Sequence, residues 1–322
     1  MIPGLGIGSL FSGYGGLDMG IQAALGGSVA WTVENADAPS AILAHHSPTT
    51  PNLGDITTVP WHDVEAVDIL AGGFPCQDVS VMGARRGIRP DTRSGLWSHY
   101  GYAIDALRPS LVIIENVKGL LSADAHSDLE RCPWCLGNDG TERHLRALGA
   151  VLGDLARLGY DTRWTGIRAS DAGAPHERFR VFLVAYPAHK GLEGWSLLPQ
   201  RPGQRDTLPS RVGVAPDAHD ILSAGRRTSW RGLTEPTDHN RGVDWRRFGR
   251  AIERWERVVG RAAPDPMTDG RLSARFTEWM MGLPDGYVTS PAIGLSHNQQ
   301  VHAIGNGVVP QQAELALRHL LG

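Results

Sequence analysis

Two reactive groups stand where an open α/β sheet gathers its chemistry. Pro75-Cys76 closes the strand-like run Val67 to Phe74, and Glu115-Asn116-Val117 closes a second apolar run, Leu111 to Ile114. Such sheets bind ligands at the carboxyl ends of their strands, so a thiol and a carboxylate placed there are candidates for one reaction centre. Three roles are open to the cysteine: buried small hydrophobe, metal ligand or nucleophile. Cys76 sits at a strand end and begins a polar, glycine-containing loop, Gln77 to Arg93, of a length that is commonly functional, which favours the nucleophile. A free thiol ionises near pH ~8.5, so a helix terminus or a cation has to activate it.

The elements that must position these groups are short apolar runs alternating with helix-like segments, the pattern of parallel strands joined by helical crossovers. Ile7 to Phe11, Val29 to Val33, Val67 to Ala71, Leu111 to Ile114 and Val181 to Ala185 read as strands. Leu17 to Leu25, Ala38 to His45, Leu96 to Leu107 and Leu145 to Leu158 read as helices, the last ended by Gly159. From Pro187 to about Gly270 the composition shifts to Pro, Gly, Arg, Asp and Thr. Periodicity returns at Asp244 to Val259, where Trp245, Phe248, Ile252, Trp255 and Val259 form one face. Arg246, Arg247, Arg250, Arg254 and Arg257 fall on the other faces, either as plain solvated surface or as contacts to phosphate or guanine edges. An aromatic-rich piece, Arg275 to Pro284, and a terminal helix from about Gln311 complete the chain.

The turn Phe11-Ser12-Gly13-Tyr14-Gly15-Gly16 follows the first strand and precedes a helix, but its glycines do not form a G-x-G-x-x-G fingerprint. Taken with Gly73-Phe74-Pro75-Cys76-Gln77, Asp91-Thr92-Arg93-Ser94-Gly95-Leu96, Glu115-Asn116-Val117, Arg178-Phe179-Arg180 and Gly305-Asn306-Gly307-Val308-Val309-Pro310, it resembles the ordered motifs of the DNA (cytosine-5)-methyltransferases. These strings span nearly the whole chain.

The resemblance implies a Rossmann-like α/β domain over 1–186, completed by 292–322, with a smaller target-recognition domain over 187–291. It implies S-adenosylmethionine as cofactor, bound by Phe11, Gly13, Tyr14, Gly15, Gly16, Glu34, Asn35, Asp55, Ile56, Gly73, Pro75, Leu96, Asn306 and Val308. Glu34-Asn35 would face the ribose and Asp55 the adenine amino group. Cys76 would add to C6 of a flipped-out cytosine, Glu115 would hold or protonate N3, Asn116 would orient the loop, and Arg178 and Arg180 would position base and loop. Gly83 and Gly87 would hinge that loop, with Arg85, Arg86 and Arg89 on phosphates. One departure is Pro175-His176, where the family often has glutamine after the proline; His176 is expected either to keep a polar contact or to face solvent. The expected partner is double-stranded DNA, with a monomeric enzyme and a restriction endonuclease acting separately. Alternatives are cytosine methylation of RNA, a catalytically idle DNA-binding protein and a cysteine-dependent dehydrogenase.

Cys132-Pro133-Trp134-Cys135 forms half of a zinc site, which His126 or His144 could help complete; the alternative is a pair of free thiols. The bulk properties are less selective. The chain of 322 residues can bury a large core, and its net charge of -3 excludes a globally basic nucleic-acid binder. Three cysteines argue against a disulfide framework, and no apolar stretch reaches membrane-spanning length, so a cytoplasmic protein is expected.

Overall fold

The computed structural model describes residues 4–75, 95–121, 124–125, 145–193, 195, 245 and 248–322. The chain runs β1 (Gly6–Leu10), α1 (Gly16–Leu25), β2 (Ser28–Val33), α2 (Asp37–His46), β3 (Ile69–Gly72), α3 (Leu96–Leu107) and β4 (Leu111–Val117). It continues with α4 (Ala147–Arg157), β5 (Tyr160–Arg168), β6 (Phe179–Pro187), α5 (Gly249–Val259), α6 (Ala274–Met280), α7 (His297–Asn306) and α8 (Pro310–Leu321). The six strands form one sheet in the order β2-β1-β3-β4-β6-β5. From β1 the chain crosses to β2 on one side and then to β3 on the other. The carboxyl end of β1 is therefore the switch point where such sheets bind ligands.

β1 to β4 are parallel, as the apolar runs predicted, but β6 is antiparallel to both neighbours. The parallel pattern does not extend to the strand expected at Val181 to Ala185: the stretch 169–178 is too short for a crossover helix, so β5 and β6 pair as antiparallel neighbours. β4 also runs past Ile114, so that Glu115 lies inside the ladder opposite Phe182 rather than after the strand.

Alternate strand residues enter opposite faces, the period-2 rule of a sheet covered on both sides. Leu70, Val112 and Ile114 join Trp97, Tyr100 and Val151 in one core, whereas Ile69, Ala71, Leu111 and Ile113 join Leu17, Ile21, Ala313 and Leu317 in the other. The terminal helix α8 packs on α1, so the chain's end covers its beginning. A third cluster unites Tyr14, Ile42, Ala169 and Ala174 with Ile252, Trp255, Phe276 and Trp279 of α5 and α6. Arg254, expected on an outer face, donates from Nε to the carbonyl of Gly173 at 3.1 Å, tying α5 to the turn before β6.

Candidate functional site

Glu115 ends the apolar part of β4 and is 8% exposed. Arg180 on β6, opposite Val117 and so diagonal to Glu115, places Nε 2.7 Å from Glu115 Oε1. Burial raises the Glu115 carboxyl above its ordinary range, while the cations of Arg180 and Arg178 pull it back. A buried acid whose carboxyl is raised beside a fixed cation is suited to give a proton or a hydrogen bond to a ring nitrogen. Gly73, at the end of β3, makes room for it: a Cβ there would lie 2.7 Å from Glu115 Oε2. Asn116 holds the adjoining backbone, donating from Nδ2 to the carbonyl of Phe74 at 2.9 Å. Phe74 in turn packs on Trp97 and Tyr100 of α3. The chain reaches Pro75 on a rigid aromatic footing.

The glycine turn after β1 forms the second half of the site. Phe11 adopts φ 51°, a left-handed conformation rare outside glycine and concentrated at functional sites. Glu34, at the end of β2, accepts from the Gly13 amide at 2.9 Å through Oε2 and from the Ala36 amide at 2.9 Å through Oε1. A carboxylate has about four acceptor positions, so two lone pairs remain for a diol such as a ribose edge. Asp55 accepts from the Thr57 amide and hydroxyl, and these bonds hold its carboxyl below the usual range, so it remains an acceptor. Ile56 is buried beside it, Asn35 hydrogen-bonds its side chain, and Leu96 opens α3 against the first core.

The two halves meet through residues from the far end of the chain. Tyr14 is buried and donates its hydroxyl to the carbonyl of Val308 at 2.6 Å. Arg178, 1% exposed, donates from Nη2 to the carbonyl of Gly307 at 2.8 Å. Burial drives the Tyr14 phenol well above its ordinary value, and Arg178, Glu115 and Arg180 all act on it electrostatically. Asn306 is exposed at the end of α7, next to this junction. A family model described as C-5 cytosine-specific DNA methylase matches residues 5–241. The chain belongs to that family.

Within the C5 methylases, the chain is 35% identical over 180 residues to the type II methyltransferase M.NlaIV of Neisseria lactamica, covering 54% of this chain and 40% of that protein. It is 27% identical over 313 residues to the type II methyltransferase M2.BsuMI of Bacillus subtilis, covering 93% and 71%. The chain thus spans well under two thirds of the length of M.NlaIV. Among solved structures, a Spodoptera frugiperda DNMT2 variant is similar over 99% of this chain and 100% of its own, with TM-score 0.59 at 15% identity. Dnmt2 of S. pombe gives TM-score 0.57 at 16% identity over 98% and 99%. At that identity the likeness establishes the fold alone.

The structure brings Glu115, Asn116, Arg178 and Arg180 to one strand end and joins them to Tyr14, Gly15, Gly16 and Val308. Cys76, Cys132, Cys135, His126, His144, Arg85, Arg86, Arg89, Arg246 and Arg247 lie outside the described residues. Among the described residues no three His, Cys, Asp or Glu side chains gather as a metal site, and no helix is long and apolar enough to cross a membrane. His176 does not face solvent. It is fully buried, with Nε2 3.1 Å from the carbonyl of Met280. Sequence reasoning missed His46 and Tyr287, which meet from distant segments, and Glu278, whose carboxylate holds the turn around Tyr287.

Proposed function

We propose that this C5 methylase transfers a methyl group from S-adenosylmethionine to C5 of a cytosine flipped out of double-stranded DNA, with Cys76 as nucleophile. The observation that carries the reading is the buried Glu115–Arg180 pair, seated against Gly73 and beside the backbone that leads into Cys76. Cys76 Sγ bonds to C6, and the ring electrons shift so that N3 takes a proton held by Glu115. That addition makes C5 nucleophilic, and the activated methyl that S-adenosylmethionine would supply would be received there. A base removes the C5 proton, the S–C6 bond breaks, N3 returns its proton and the thiolate is restored. Base flipping is required because a stacked ring exposes neither face.

S-Adenosylmethionine supplies an activated methyl on a sulfonium. The open acceptor positions of Glu34 and Asp55 and the turn Gly13 to Gly16 suit its ribose, adenine and amino-acid parts. Sequence choice is proposed to reside in 187–291, which the reaction leaves free to read bases, and a structural zinc at Cys132 and Cys135 is proposed on their spacing alone, to be checked by elemental analysis.

Radiolabelled methyl transfer to DNA, followed by bisulfite sequencing, tests the reading. The parent protein should label cytosine in one motif, and Cys76→Ala should lose the activity while still binding S-adenosylhomocysteine. Labelling of tRNA in preference to DNA, or Cys76→Ala retaining activity within about tenfold, a loss too small for a nucleophile, would overturn it.

A further inference from the structure

The turn around Tyr287 has no part in the proposed bond-making, yet its backbone is held by a buried carboxylate. Glu278, on α6, is fully buried. Its carboxylate accepts from the backbone amides of Gly286 at 2.8 Å, Val288 at 2.7 Å and Thr289 at 2.9 Å. Those three amides bracket Tyr287 and fix its direction. The Tyr287 ring lies parallel to the imidazole of His46, with centroids 3.8 Å apart. His46 Nε2 is 2.6 Å from the Tyr287 carbonyl, and because a carbonyl only accepts, Nε2 is the donor.

The other end of the same side chain rests beside the glycine turn. A Cβ on Gly15, which sits at φ 84°, would stand 3.7 Å from the Tyr287 hydroxyl oxygen and 3.7 Å from Asp18 Oδ2. Burial, and then the nearby Asp18 carboxylate, raises the Tyr287 phenol to about 12, so it stays a neutral hydroxyl. His46 ends α2, the helix that begins just after Glu34 and Asn35. A single side chain thus stacks on the helix that follows the end of β2 and brings its hydroxyl within van der Waals range of where a side chain on Gly15 would stand.

We infer that Tyr287 and His46 form a strut that sets the spacing between the glycine turn and the Glu34 strand end, which makes both of them positioning residues for S-adenosylmethionine. The inference rests on the proposed cofactor. It assigns part of the control of cofactor affinity to the last turn of the span 187–291, far along the chain from the motifs at its start.

Calorimetric titration of S-adenosylhomocysteine into the full chain, together with steady-state methyl transfer, tests it. His46→Ala and Tyr287→Ala remove the stack, and the former also the hydrogen bond, so each should weaken binding about tenfold. The KM for S-adenosylmethionine should rise to match, while kcat and the KM for DNA stay within about twofold, the pattern of lost ground-state binding. Tyr287→Phe keeps ring and carbonyl and should bind within about twofold of the parent. His46→Phe, which keeps the stack and loses only the donor, should fall between and serves if an alanine variant does not fold. Parent-like cofactor affinity in folded His46→Ala or His46→Phe overturns the strut, as does an equal loss of cofactor and DNA affinity. A parent protein that does not bind S-adenosylhomocysteine overturns the proposed cofactor and the strut together.

Discussion

At the end of β4 the carboxylate of Glu115 meets a guanidinium, whereas on α6 that of Glu278 meets three backbone amides. Both side chains are buried, so each must be satisfied by its surroundings or neutralised. In Glu278 both oxygens are taken: Oε1 by Gly286, Oε2 by Val288 and Thr289. In Glu115 the cation engages Oε1, and Oε2 lies against the bare Cα of Gly73. A carboxyl group that is to act on a ligand needs one oxygen left over. The difference separates an acid with an oxygen left over for a ligand from one whose oxygens both hold a turn, although burial alone would rank them together.

The same substitution at both positions should tell the two acids apart. Glu115→Gln should reduce single-turnover methyl transfer on the order of 10²- to 10³-fold, because the amide cannot supply the proton that N3 requires. Its unfolding midpoint should stay within about 2 °C of the parent. The raised Glu115 carboxyl also predicts a pH signature. As pH rises through its folded value the acid form is lost, so the chemical step should slow on the alkaline side, and the variant should lack that limb. A parent-like rate in Glu115→Gln would place the acid elsewhere.

Asp18 supplies an intermediate case. It is buried in the first turn of α1, with Oδ2 accepting from Ser9 Oγ at 2.8 Å and Oδ1 unpartnered, and burial lifts its carboxyl from 3.8 to about 6. A folded value above the unfolded one gives stability that is complete below the unfolded value and lost as pH rises through the folded one. That shift is worth at most about 3 kcal/mol. Urea unfolding of the parent between about pH 4 and 7 should show this loss relative to Asp18→Asn, whose slope should be flatter. Identical slopes would mean the carboxyl is ionised throughout.

The smallest effect is expected for Glu278→Gln, which presents an N–H to amides that need an acceptor. It should cost about 2 kcal/mol of stability in urea. At saturating S-adenosylmethionine its methyl transfer should remain within about twofold of the parent, since the change lies in binding geometry rather than chemistry. Loss of rate with unchanged stability would reverse the roles assigned to the two acids.

Much of this arrangement was legible in the sequence because the parallel strands are buried on both faces and read as unbroken apolar runs. β1 and the apolar part of β4 emerged that way, and α3 was read over its full length. The edge strand β5 did not, since Asp161, Arg163 and Trp164 face solvent and break any apolar alternation. The reversed direction of β6 was equally hidden, because side-chain pattern carries no strand polarity. α7 was missed for its polar surface, Asn298, Gln299, Gln300 and His302, although its Ser296–Gln299 capping box was a readable start signal. Glu115 and the glycine turn could be found from local strings. The pairing of Tyr287 with His46 could not, because neither residue's neighbours in the chain hint at the other.

The bond between Tyr14 and Val308 joins residues 294 positions apart. At about 5–20 residues added per second, roughly 15–60 s separate the synthesis of its two ends. Over that interval Leu17 and Ile21 of α1 await Ala313 and Leu317, and the glycine turn has nothing to close against. The site is therefore set by a clock as well as by geometry: a nascent chain carries most of its reaction centre long before it can shape it. Slow translation ahead of Pro310 would lengthen the time for which an apolar helix face stands open to aggregation or to a chaperone.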